Sequence, residues 1–152
     1  MSSNYRERLY VPWYWWPCAG VAVALIGYEV QLAARGAAWV AAVYAALAAL
    51  SVVLLWSMSR ATVEVRDGEV WAGNAHLPVE LITRAAAVPK SAKTAAMGRQ
   101  LDPAAFLFHK GWVGTLVVLV LDDPEDPTPY WMVSTRHPEK ILAHIPTATT
   151  LA

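Results

Sequence analysis

Four groups of residues could do chemistry, and their spacing indicates which chemistry. Arg84, Lys90, Lys93, Arg99 and Lys110 share a segment whose only acid is Asp102. Such a run suits anionic lipid headgroups, a phosphorylated small molecule, or plain solvent. Near an anionic bilayer each cation is attracted by about 1 kcal/mol, which makes Lys90, Lys93, Arg99 and Lys110 the candidate lipid or anion contacts. No glycine-rich phosphate loop accompanies them. Asp122, Asp123, Glu125 and Asp126 form an acidic turn with carboxylates for Ca²⁺, but without the central glycine and terminal glutamate of a helix-loop-helix calcium loop. Pro124, Pro127 and Pro129 cannot donate to a sheet ladder and hold this loop out of it. A stiff, solvated hairpin is therefore the better reading, with Asp122, Asp126, Tyr130 and Trp131 as a candidate partner-binding loop.

His76, His109, His137 and His144 show no metal-ligand spacing. Ser134 and Thr135 have His109 and Asp122 as potential partners, yet no Gly-x-Ser-x-Gly elbow or comparable context surrounds them. The expectation is a non-enzymatic protein without metal or cofactor. Cys18 is the single cysteine and has no internal disulfide partner. Trp15-Trp16-Pro17 stands where a lipoprotein acceptor would need small residues, so Cys18 reads as a small apolar residue at a helix start. The net charge of zero gives no argument for nucleic acid as a partner.

The elements that position these groups begin with a long apolar stretch. Of 12 acidic and 12 basic residues in the chain, Glu29 and Arg35 alone fall between Trp13 and Met58. Residues 15–34 and 37–58 each approach the ~20 apolar residues that cross a hydrocarbon core of about 30 Å. They predict a transmembrane hairpin turning at Arg35-Gly36. A cleaved signal peptide is the alternative for the first run, opposed by its length and by the second run that follows at once. Arg6, Arg8 and Arg60 on the flanks outnumber Arg35 in the turn, which predicts both termini in the cytoplasm and a place in the inner membrane. Tyr10, Trp13 to Trp16 and Trp56 would form an aromatic belt at one boundary, with Trp39 at the other. Ala38, Ala42 and Ala46 recur at helical spacing, as do Ala41, Ala45 and Ala49. Such faces let helices approach closely, within the hairpin or toward a membrane-protein partner or second copy. Glu29 is the ionisable residue inside the runs; with no second acid or histidine there, snorkelling toward Arg35 or a subunit contact outweighs a proton pathway.

Residues 60–152 follow almost without a linker and suffice for one small domain, expected to sit against the headgroups. Thr62 to Arg66 alternates as a strand, Asp67-Gly68 is a hairpin turn, and Glu69 to Ala72 alternates back, pairing Arg66 with Glu69 and Val65 with Val70. Ala75 to Leu77 reads as a short edge or turn, Leu81 to Val88 as a strand or helix, with its short length and β context favouring a strand ended by Pro89, and Lys90 to Gln100 as a loop. Asp102-Pro103 signals a turn or helix start. Trp112 to Leu121 is the clearest core strand, with Tyr130 to Ser134 as its antiparallel partner. Pro138 opens a short helix, Glu139 to Ile145, stopped by Pro146.

The fold class is thus an α+β membrane protein: residues 1–59 an N-terminal segment and hairpin, residues 60–152 a small antiparallel β domain with a C-terminal helix. This element order resembles bacterial pleckstrin-homology-like domains, which implies a partly open barrel. Tyr5-Arg6-Glu7-Arg8-Leu9, Val11-Pro12-Trp13, Ser59-Arg60, Asp67-Gly68, Ala72-Gly73, Asp126 to Trp131 and Ser134-Thr135-Arg136 together resemble an uncharacterised family of small actinobacterial membrane proteins. The resemblance implies the topology and no activity. The functional expectation is an adaptor or accessory subunit presenting a membrane-apposed domain to protein partners. The alternative is a sensor binding anionic lipid headgroups or a small anionic ligand.

Overall fold

The computed structural model describes residues 4–145 and divides into a helical unit, Tyr10–Arg60, and a β unit made of the residues up to Leu9 together with Ala61 onward. In the helical unit, α1 (Trp15–Ala34) and α2 (Val40–Met58) are long and apolar enough to cross a membrane. Gly27 of α1 admits the Tyr44 ring of α2 so closely that a Cβ there would lie 2.1 Å from it. The Tyr44 hydroxyl donates to Gln31 Oε1 at 3.4 Å. At the open end of the pair, the Val11 N–H donates to Ser59 Oγ at 3.3 Å. The turn uses left-handed backbone at Arg35 and Gly36, and α2 begins at Val40, later than the sequence suggested, because Ala37 to Trp39 complete the reversal.

The β unit holds two sheets. The first is a meander of β1 (Tyr5–Arg8), β2 (Thr62–Arg66), β3 (Glu69–Ala72) and β4 (Ala75–Pro78) in that order, all antiparallel. The β2–β3 register pairs Val65 with Val70 and Arg66 with Glu69, as the turn predicts, with Asp67 and Gly68 both at positive φ. The second sheet contains β5 (Ile82–Val88), β6 (Phe106–Phe108), β7 (Leu116–Leu121) and β8 (Tyr130–Ser134), ordered β5-β7-β8-β6. Because β6 runs parallel to β8, this sheet is mixed, not antiparallel throughout. The sheets do not close into a barrel. Inner-face residues Val63, Val65, Val70, Val117, Leu119 and Val133 form one buried cluster, completed by Ile141 of α4 (Pro138–Leu142). Pro146 lies outside the described residues.

Besides β6, which the sequence reading did not foresee, two elements depart from it. Lys90 to Met97 is a helix, α3 (Lys90–Met97), where a loop was expected. Ala, Lys and Met are strong helix formers, and Pro89 is the residue at its N-cap. The N-terminal segment, grouped by sequence with the hairpin, instead supplies β1 to the β unit. Arg6 and Arg8 point to solvent while Glu7 and Leu9 turn inward, so a carboxylate on the inward face concealed the strand. The helix pair is consequently an insertion between two paired strands, with the Leu9 N–H donating to Ala61 O at 2.9 Å where the chain departs and returns.

Candidate functional site

The strongest convergence of charge in the β unit comes from α3 and the loop before β7. Lys93 reaches from α3 to donate its ammonium to the Val113 carbonyl. The Lys90 stem lies along Gly114, where an added Cβ would meet its Cδ at 3.5 Å. Lys110 stands over the Phe108 and Trp112 rings, 5.1 and 6.0 Å from their centroids. Burial and then the Lys90 charge depress the Lys93 pKa, while burial followed by Lys93 and Lys110 depress that of His109. Both shifts disfavour the charged form, so His109 adds less positive charge near neutral pH than an ordinary imidazole would. No carboxylate forms an ion pair with Lys90, Lys93 or Lys110 among the described residues. A cation group so placed favours an incoming anion, which would relieve the mutual repulsion. Arg99 is exposed beyond the C-terminal end of α3, next to Gln100.

Ser134 lies beneath the cluster and is fully buried. Its hydroxyl oxygen accepts from the Lys110 N–H at 2.9 Å and stands 3.4 Å from His109 Nδ1. Asp122 does not join them. Ser134 pairs with Leu116 at the start of β7, whereas Asp122 follows its end, about 20 Å along the strand.

The acidic loop is held by its own carboxylates: Asp123 accepts from the Glu125 N–H and Asp126 from the Thr128 N–H, each at 2.9 Å. Hydrogen bonding from the Thr128 side chain, and then from its backbone N–H, lowers the Asp126 pKa. Asp122 and Asp126 are exposed, but Trp131 is buried against Phe106 with ring centroids 4.2 Å apart. It belongs to the core and not to a contact loop. Tyr130 is half-buried, its hydroxyl accepting from the Asp102 N–H at 2.7 Å and donating to Gln100 O at 3.3 Å. Glu29 is exposed on α1 with no ion pair among the described residues. Among the described residues no group of His, Cys, Asp and Glu could hold a metal ion.

Sequence reasoning missed Glu7, a carboxylate only 8% exposed. It accepts from the Thr135 hydroxyl at 2.6 Å, the Arg136 N–H at 3.1 Å and the Tyr5 hydroxyl at 3.1 Å, and lies 3.7 Å from His137 Nδ1. Those bonds fasten β1 to the segment after β8. The available signal was that Tyr5 to Leu9 and Ser134 to Arg136 both carry the family resemblance, and these two stretches meet.

The chain is an α+β protein in which an apolar helix pair interrupts a two-sheet unit. It belongs to the family described as protein of unknown function (DUF3093), whose model matches residues 4–145. Neither a curated protein nor a solved structure matches the chain.

Proposed function

We propose that this is a non-enzymatic membrane protein whose β unit engages anionic lipid headgroups through Lys90, Lys93 and Lys110. The observation that carries this reading is the place of the cluster. The chain leaves the β unit for the helices at Leu9 and returns at Ala61, and the Trp112 indole N–H donates to Leu9 O at 3.1 Å. Lys110, two residues away, thus lies at the end of the β unit from which the helices depart. Membrane crossing is supported by the apolar surfaces of α1 and α2, where Val21, Leu25, Leu32, Val53 and Leu54 are exposed. The β1–β2 pair adds a topological argument: segments on either side of the hairpin are hydrogen-bonded neighbours, so the inserted chain crosses a bilayer an even number of times. Cleavage after α1 would also remove Glu7 from its partners, which opposes the signal-peptide alternative. The excess of flanking arginines supports a β unit in the cytoplasm, beneath the inner membrane.

The test is lipid selectivity of the full chain in phosphatidylcholine bilayers carrying a trace of spin-labelled phosphatidylglycerol. The protein should immobilise this lipid more than labelled phosphatidylcholine. Replacing the three lysines by glutamine, or raising salt, should erase the difference. Equal immobilisation of both lipids by the unmodified chain would sink the proposal.

A second reading, an accessory subunit, draws on a groove of about 190 Å³ between α1 and α2, lined by Trp16, Gly20, Val23, Ala48, Ser51 and Val52 among others. Small residues there would admit another span. Crosslinking in native membranes should then trap a reproducible partner or second copy through this groove; a strictly monomeric protein would count against it.

A further inference from the structure

Anion binding leaves the surface beside the lysine cluster unexplained. Along β8, Tyr130, Met132 and Ser134 share the sheet face opposite the core, while Trp131 and Val133 face inward. α3 lies over this outer face, and between them is a pocket of about 220 Å³ lined by Val88, Ala96, Gln100, Val118, Tyr130 and Met132. Its two ends differ in chemistry. Toward Ser134 lie His109 and Lys110, and Lys93 is one helical turn before Ala96 on the same side of α3. At the other end Tyr130 closes the pocket with a hydroxyl already engaged by Gln100 and Asp102. The walls between are largely apolar, so the pocket has a cationic mouth and a floor that offers a ligand little to hydrogen-bond.

We infer that this cleft binds a single-chain anionic amphiphile, a fatty-acid carboxylate, with its head between Lys93 and Lys110 and its chain over Met132 toward Tyr130. The inference rests on the anion-binding reading of the same lysines and specifies what lies behind the anion. Charge complementarity fixes the head. The apolar walls supply the tail site, and a pocket of about 220 Å³ offers room for one medium-length chain. Burial of that chain would contribute about 0.8 kcal/mol per methylene.

Octanoate is the probe, titrated calorimetrically into the full chain in phosphatidylcholine nanodiscs, with empty nanodiscs as the blank. Saturable binding is expected, and acetate at the same concentrations should neither bind nor compete. Ala96→Leu fills the pocket from α3 and should weaken octanoate by at least about tenfold. Lys93→Gln should weaken it about fivefold. Lys110→Gln should act likewise and stands in if the Lys93 variant unfolds, because the Lys110 ammonium lies over rings and not on a backbone carbonyl. Acetate competing as well as octanoate, or Ala96→Leu binding unchanged, would overturn the amphiphile proposal. If Ala96→Leu also kept its selective immobilisation of phosphatidylglycerol, the headgroup reading would survive that failure.

Discussion

Glu7 gathers more polar contacts than any other carboxylate among the described residues, and its partner Thr135 is 128 positions away. Glu7→Leu would leave the Thr135 hydroxyl and Arg136 N–H without their acceptor in a buried setting, at a cost of about 2–3 kcal/mol. A lowered thermal midpoint of the full chain in detergent, with a smaller loss for Glu7→Gln, is the expected result. Nearby, burial and then the Glu7 charge push the Tyr5 hydroxyl from 10.0 up to about 12. Between those values the unfolded chain loses the proton first, so stability falls as pH rises through that window. His109 works in the opposite region. Its folded pKa lies below 6.5, so the unfolded state binds the proton more readily and stability falls as pH drops below 6.5. Denaturation midpoints should thus decline from pH 7 toward pH 5, and His109→Gln should flatten part of that decline. An NMR titration placing His109 above 6.5 would contradict the arrangement of lysines around it.

At the level of elements, the close approach of Gly27 and Tyr44 defines the helix pair. A leucine at position 27 would collide with the Tyr44 ring, so Gly27→Leu should lower the thermal midpoint in detergent, and adding Tyr44→Ala should recover part of the loss. Equal midpoints for parent and Gly27→Leu would show that the helices do not pack here. The hairpin itself was legible because apolar length is a strong local signal, and β2–β3 because Asp67-Gly68 fixes a register without help from the rest of the chain. β7 and β8 were likewise readable as apolar runs. β1 was not, since Tyr5 to Arg8 has charged residues on both faces and its inward carboxylate is satisfied only by Thr135 and Arg136. α3 was obscured by Ser91, Thr94 and Gly98, which read as loop residues. β6 was hidden because three residues give no period. The lysines of the cleft were readable as a charge excess, whereas the approach of Lys93 to the Val113 carbonyl depends on α3 being helical. Trp131 looked available because the prolines before it predict exposure, but its place in the β8 alternation turns it inward.

For the whole molecule, the central consequence is topological. In a Cys18→Ser background, cysteines introduced at Asn4 and at Asp123 should react with a membrane-impermeant reagent from the same side of the bilayer. A cysteine at Gly36 should react from the opposite side. Labelling of Asn4 and Asp123 from opposite sides would eliminate the two-crossing arrangement. On the proposed topology, the pairing of β1 with β2 favours this arrangement together with the flanking charges, because the β unit is complete only when both segments share one compartment.

The insertion of the helix pair between paired strands also sets an order of events during synthesis. β1 leaves the ribosome first but has nothing to pair with until the whole hairpin has been made and β2 has followed it. Glu7 waits longer still, for Thr135 and Arg136 near the other end of the chain. On the proposed topology, a chain that crossed the bilayer once would strand β1 on the wrong side, leaving the first sheet with an open edge and the core without Leu9. Such a chain would present an incomplete domain to cytoplasmic proteases. Folding of the β unit would therefore act as a proofreading step on membrane insertion, letting correctly threaded molecules accumulate while misthreaded ones are cleared.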